Sequence, residues 1–217
     1  MQTPFLDQLL DRINQRARTD IKPILGGLSW LFSGQILIAV IGFLSTVVLA
    51  NFLDEASFGE YKYLLTLAGM VGVLSLTGLK EATVRAVAQG NEAELYRTIR
   101  LILRWSGGMI LTASGIAGYY FYMGNEQIAL AGLAMLLFVP MATAFSTFLP
   151  YLNGKQLYGS FATLRTLYLA APPAATLGVV WFTTDVLLLF VSFVAAQGIG
   201  ALLLFLCTIR RYPPNDQ

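Results

Sequence analysis

Residues 28–53 read LSWLFSGQILIAVIGFLSTVVLANFL, twenty-six positions without one Asp, Glu, Lys or Arg. At 1.5 Å per residue, a helix needs about 20 residues to cross a ~30 Å hydrocarbon core, so this stretch is long enough to span it. Five more uncharged runs follow, at 63–79, 105–125, 127–154, 166–184 and 186–209. Backbone polar groups must pair internally in lipid, and continuous apolar runs of this length fit helices better than alternating barrel strands of about 10 residues. The expected fold class is all-α: a polytopic membrane protein with six transmembrane helices in one bundle.

The rest of the composition agrees. Of 217 residues 56% are hydrophobic and 12% charged, about half the charge of an ordinary soluble domain. Histidine is absent and Cys207 is the single cysteine, so Ser-His, Cys-His and His-metal chemistry have no residues to use, and no cofactor or metal is expected. No convergent acidic cluster offers acid–base chemistry either, and the chain reads as a non-enzyme.

The net charge of +2 hides a strong asymmetry. Arg12, Arg16, Arg18, Lys22, Lys80, Arg85, Arg97, Arg100, Arg104, Lys155, Arg165, Arg210 and Arg211 fall on one side of the six spans, and Lys62 alone on the other. The positive-inside rule then places both termini in the cytoplasm, as an even number of spans requires. The basic residues are spread over short loops and form no aromatic-interleaved patch, which argues against nucleic acid as a partner.

Three segments result: a cytoplasmic stretch 1–27, the bundle 28–209 and a tail 210–217. The first apolar run exceeds a signal-peptide core. Phe5, Leu6, Leu9, Leu10 and Ile13 recur at helical spacing, which gives an amphipathic interfacial helix or, alternatively, a disordered basic tail. Gly90, Asn91 and Glu94 read as a helix break followed by an N-cap with its acidic partner, from which a helix is expected to run unbroken into the third span. Pro140, Pro150, Pro172 and Pro173 lie inside spans, as hinges or static kinks. No strict G-x-x-x-G pair is present.

Residues 42–94 read GFLSTVVLANFLDEASFGEYKYLLTLAGMVGVLSLTGLKEATVRAVAQGNEAE. The Leu49–Leu53 stretch, the acidic turn, Phe58-Gly59-Glu60-Tyr61, and Thr77-Gly78-Leu79 with Ala82 and Arg85 resemble the N-terminal half of the polysaccharide biosynthesis proteins. These are O-antigen-type oligosaccharide flippases of the multidrug/oligosaccharidyl-lipid/polysaccharide exporter superfamily. The resemblance implies translocation of an undecaprenyl-linked oligosaccharide for surface polysaccharides such as lipopolysaccharide. Relatives carry two six-helix bundles around a central cavity, so a second bundle, in the same frame or another chain, is an implied partner. Relatives that move the cell-wall precursor use basic residues in the first span, which here has none.

Transport of this kind needs a polar cavity and no bond chemistry. Gln35, Gly42, Ser45 and Thr46 share a helical face of the first span, with Asn51 near its far end, as substrate contacts or as interhelical hydrogen-bonding groups. Lys80, Glu81 and Arg85 cluster beyond the second span. Glu81 and Arg85, four apart, can form a structural pair, or Arg85 and Lys80 can hold the substrate phosphate. Arg165 is a further phosphate candidate. On the phosphate reading, Arg85→Ala is expected to impair export without affecting insertion. Two other functions are alternatives: a cation-coupled drug exporter, disfavoured because such exporters should carry acidic residues inside their spans and the six runs have none, and a non-transporting scaffold for polysaccharide-assembling enzymes.

Overall fold

The computed structural model describes residues 22–75 and 77–214, with side chains from residue 32 and none at 77. The amphipathic helix expected before residue 22 lies outside the described residues. Those described are helical and contain no strand: α1 (Lys22–Phe52), α2 (Glu55–Val73), α3 (Thr77–Ala88), α4 (Glu94–Trp105), α5 (Gly107–Tyr122), α6 (Glu126–Phe145), α7 (Phe148–Gly154), α8 (Tyr158–Val180) and α9 (Val186–Arg211).

Three helical stretches are long and apolar enough to cross a membrane: Phe32–Phe52, Glu126–Gly154 and Val186–Arg211. A fourth is added if Glu55–Val73 and Gly78–Ala88, bent by 55°, act as one broken span. The expected spans at 105–125 and 166–184 are not among them. Helix α5 has 16 residues, about 24 Å, and α8 carries Arg165, several hydroxyls and two prolines.

Local chemistry sets the helix ends. The Asp54 carboxylate accepts from the Ser57 amide at 3.2 Å and the Ser57 hydroxyl at 2.6 Å, so α2 starts at Glu55, and much of what the sequence presents as a connection to Lys62 is helix. Those bonds favour the ionised form and hold the Asp54 carboxyl below its usual range. Gly90, at φ +90°, ends α3, with the Asn91 amide reaching back to the Ala86 carbonyl at 2.9 Å. The break expected there is present, but the cap is not: α4 follows Ala93 with no side-chain cap. Nor does α4 run unbroken into the third span. Ser106 interrupts it, its hydroxyl donating to the Leu103 carbonyl at 2.7 Å.

The most extensive packing is α6 against α9 and α1 against α8. Gly198 lets α9 approach α6 so closely that an added Cβ would lie 3.0 Å from the Phe138 carbonyl oxygen. Gly154 does the same for α7, where a Cβ would meet Val87 Cβ at 2.7 Å. Two buried clusters result. One, toward Leu53, Asn125 and Asp185, joins Leu49, Tyr61, Leu64, Met135 and Phe190. The other, toward Arg211, joins Val87, Leu95, Phe148, Tyr151, Leu152 and Phe205. Leu49, Leu53 and Tyr61, all within the motifs of the resemblance, are core residues.

Candidate functional site

A cavity of about 360 Å³ lies at the junction of the two clusters. Helix α2 supplies Leu65, Gly69 and Gly72, α6 Val139 and Thr143, α8 Tyr168, and α9 Phe193 and Gln197. Lys80 enters from α3 and Ser146 from the break between α6 and α7. Both sit where a helix is interrupted, which lets a polar side chain reach an otherwise apolar interior.

The break at Ser146 follows from sequence. Pro150, in α7, has no N–H to offer the Ser146 carbonyl four residues earlier, and Thr143 Oγ1 donates to the carbonyls of Val139 (3.1 Å) and Pro140 (2.9 Å). The Ser146 hydroxyl donates to the Thr143 carbonyl at 3.1 Å, and Thr147 Oγ1 to that of Ala144 at 2.7 Å. Side-chain hydroxyls thus occupy carbonyls along the stretch between Pro140 and Pro150, and the span passes into α7 through a short irregular turn.

Lys80 Nζ donates to Ser146 Oγ at 3.0 Å. The Tyr168 hydroxyl faces both Gln197 and Ser146. No carboxylate is among the described residues lining the cavity. A cation in a low-dielectric interior with only neutral partners is costly, about 2.5–3.5 kcal/mol on insertion scales, and an entering anion relieves that cost. The cavity can therefore hold one anionic group at Lys80 while Ser146, Thr143, Tyr168 and Gln197 hydrogen-bond the polar atoms attached to it.

The other sequence candidates divide. Arg165 and Gln35 meet, with the guanidinium donating to Gln35 Oε1 at 3.2 Å across the α1–α8 seam. Asn51 donates to its own helix, to the Val47 carbonyl at 2.7 Å. Ser45 is buried, whereas Thr46 is exposed and donates to the Gly42 carbonyl. Glu81 and Arg85 are both exposed and do not pair. The ion pairs among the described residues are instead Arg97–Glu94 at 3.7 Å and Lys155–Glu92 at 2.9 Å. An i, i+4 spacing permits a pair, but water solvates two exposed charges about as well, so nothing holds them together. Of the cluster 80–85, Lys80 alone lines the cavity.

Ser146, Tyr168 and Gln197 went unnoticed in the sequence. Their signal is present: each is a hydrogen-bonding side chain inside an apolar run.

These features define an all-helical membrane protein with a polar, cationic interior cavity. The polysaccharide biosynthesis protein family matches over residues 24–216, and the chain belongs to that family, with a role in polysaccharide synthesis or export. No curated protein and no solved structure matches the chain.

Proposed function

We propose that the chain translocates a lipid-linked oligosaccharide of the undecaprenyl, O-antigen type across the bacterial cytoplasmic membrane, acting as a transporter or half of one without making or breaking bonds. It does so as a multi-pass bundle of six spans with both termini in the cytoplasm. The broken pair α2–α3, α4–α5 and α8 complete the count alongside the three most apolar spans. Lys80 is the observation that carries this reading: a cation in a polar cavity without a counter-charge suits the phosphate that joins a lipid to its sugar.

The cavity measures about 360 Å³. That is room for a diphosphate or one sugar, not an oligosaccharide. A second six-helix bundle would supply the rest, facing the seam where Arg165 and Gln35 meet and where α1 leaves Ile36, Val40, Phe43 and Val47 exposed.

Vesicles containing the chain, alone and with a candidate second bundle, and a fluorescent lipid-linked sugar test this reading. Transport appears as sugar that becomes inaccessible to an impermeant quencher. Movement is expected, with a loss of tenfold or more in Lys80→Met. Absence of movement in both preparations, with polysaccharide assembly still dependent on the chain, would favour a scaffold.

A further inference from the structure

The C-terminal end of α9 carries a second site chemistry, separate from the Lys80 cavity. Leu203, Leu206, Cys207, Arg210 and Arg211 recur at helical spacing and line a groove of about 510 Å³ on the outer surface. Leu203 and Leu206 are exposed, so the groove has an apolar floor leading to two adjacent guanidinium groups. At Cys207 and Arg211 it adjoins a smaller hollow of about 250 Å³, where Ser160 and Thr163 of α8 contribute hydroxyls.

The cationic end is held in place. The Arg211 guanidinium lies over the Tyr212 ring, 5.6 Å from its centroid. Tyr212 is itself fixed, its hydroxyl bonded to Ser160 Oγ at 2.9 Å and its carbonyl accepting from the Tyr151 hydroxyl at 3.0 Å. Neither Arg210 nor Arg211 pairs with a carboxylate among the described residues.

We propose that this groove binds one anionic phospholipid from the adjacent leaflet. Its acyl chain runs over Leu203, Leu206 and Cys207, its phosphate sits between the two arginines, and its head-group hydroxyls meet Ser160 and Thr163. Charge complementarity selects the occupant. A zwitterionic lipid would bring an ammonium beside two unneutralised guanidinium groups, whereas an anionic head group brings only acceptors, and each basic residue near a membrane surface favours an anionic lipid about fivefold.

Cys207, the single cysteine and exposed on the groove floor, is a built-in reporter. The full chain is placed in vesicles of phosphatidylcholine alone or with added phosphatidylglycerol, and alkylation of Cys207 by a membrane-permeant maleimide is timed. Phosphatidylglycerol is expected to slow alkylation several-fold, and added salt to reverse the protection. Arg210→Gln with Arg211→Gln should abolish it, while the double lysine replacement retains most of it. The wild-type salt series keeps the test decisive if the glutamine variant does not fold. Alkylation indifferent to phosphatidylglycerol, or protection that survives charge removal, would overturn the proposal. Protection in every lipid accompanied by chain dimerisation would assign the groove to a second copy instead.

Discussion

Two lysines reach into this bundle and meet opposite surroundings. Lys155 lies 2.9 Å from a Glu92 carboxylate oxygen and stacks over the Tyr151 ring, whose hydroxyl also bonds Glu92 at 3.3 Å. Burial disfavours its ammonium, but the bonds to Tyr151 and Glu92 and their charges outweigh that, leaving Lys155 above the ordinary lysine range. Lys80 has the Ser146 hydroxyl and no carboxylate. A satisfied cation fixes structure: through Glu92, Tyr151 and Tyr212 it fastens the loop after α3 to α7 and to the end of α9. An unsatisfied one leaves binding energy available to a ligand.

The largest expected effect separates these roles. Lys80→Met should remove polysaccharide export while the purified protein melts no lower than wild type, because it deletes an uncompensated charge from an apolar interior. Lys80→Arg should restore part of the export. A melting point that falls together with export in Lys80→Met would make Lys80 structural and erase the contrast.

Glu92→Gln should do the reverse, lowering stability by about 1–3 kcal/mol, read by thermal melting in detergent, with export falling only as far as protein level falls. The pair's contribution has a definite pH window. Because the folded Lys155 is raised, its stabilisation is fully present below the ordinary lysine value of about 10.4 and is lost as pH climbs through the raised value. Wild type should therefore lose its advantage over Glu92→Gln at strongly alkaline pH, and a constant gap there would contradict the assignment.

A smaller effect concerns the joint between α3, which bears Lys80, and α4. Thr83 and Thr98 share a buried hydroxyl hydrogen bond of 2.7 Å. Thr83→Val should cost about 1–2 kcal/mol by stranding Thr98, and the double valine variant should recover much of the loss, as melting of the three variants would show.

Smallest of all should be Arg85→Ala. The sequence admits Arg85 as a phosphate ligand, but its side chain is exposed and lines no part of the Lys80 cavity. Export within about twofold of wild type is expected, and a loss matching that of Lys80→Met would move the site to the outer face of α3.

Much of the fold was legible in one dimension because lipid imposes a long apolar run on any spanning helix. The runs at 28–53, 127–154 and 186–209 coincide with the three most apolar helices. The site was only half legible. Lys80 stood out as a charge at the edge of an apolar run, but Ser146, Tyr168 and Gln197 lie 66 or more positions further along the chain and are ordinary polar residues. The ion pair was misplaced for a related reason. Helical spacing named Glu81 and Arg85, while Glu92 found Lys155 across 63 positions, where burial of both partners makes pairing worthwhile.

The sequence alone determined an all-helical chain that seeks lipid, the helix break at Gly90, and its family, because hydropathy, glycines and short motifs act over one or two turns. Only the tertiary structure decided which charges are satisfied. Placing Ser146, Tyr168 and Gln197 around Lys80, and Glu92 against Lys155, depends on how helices far apart in the chain pack, and the low dielectric between them turns that placement into binding in one case and stability in the other.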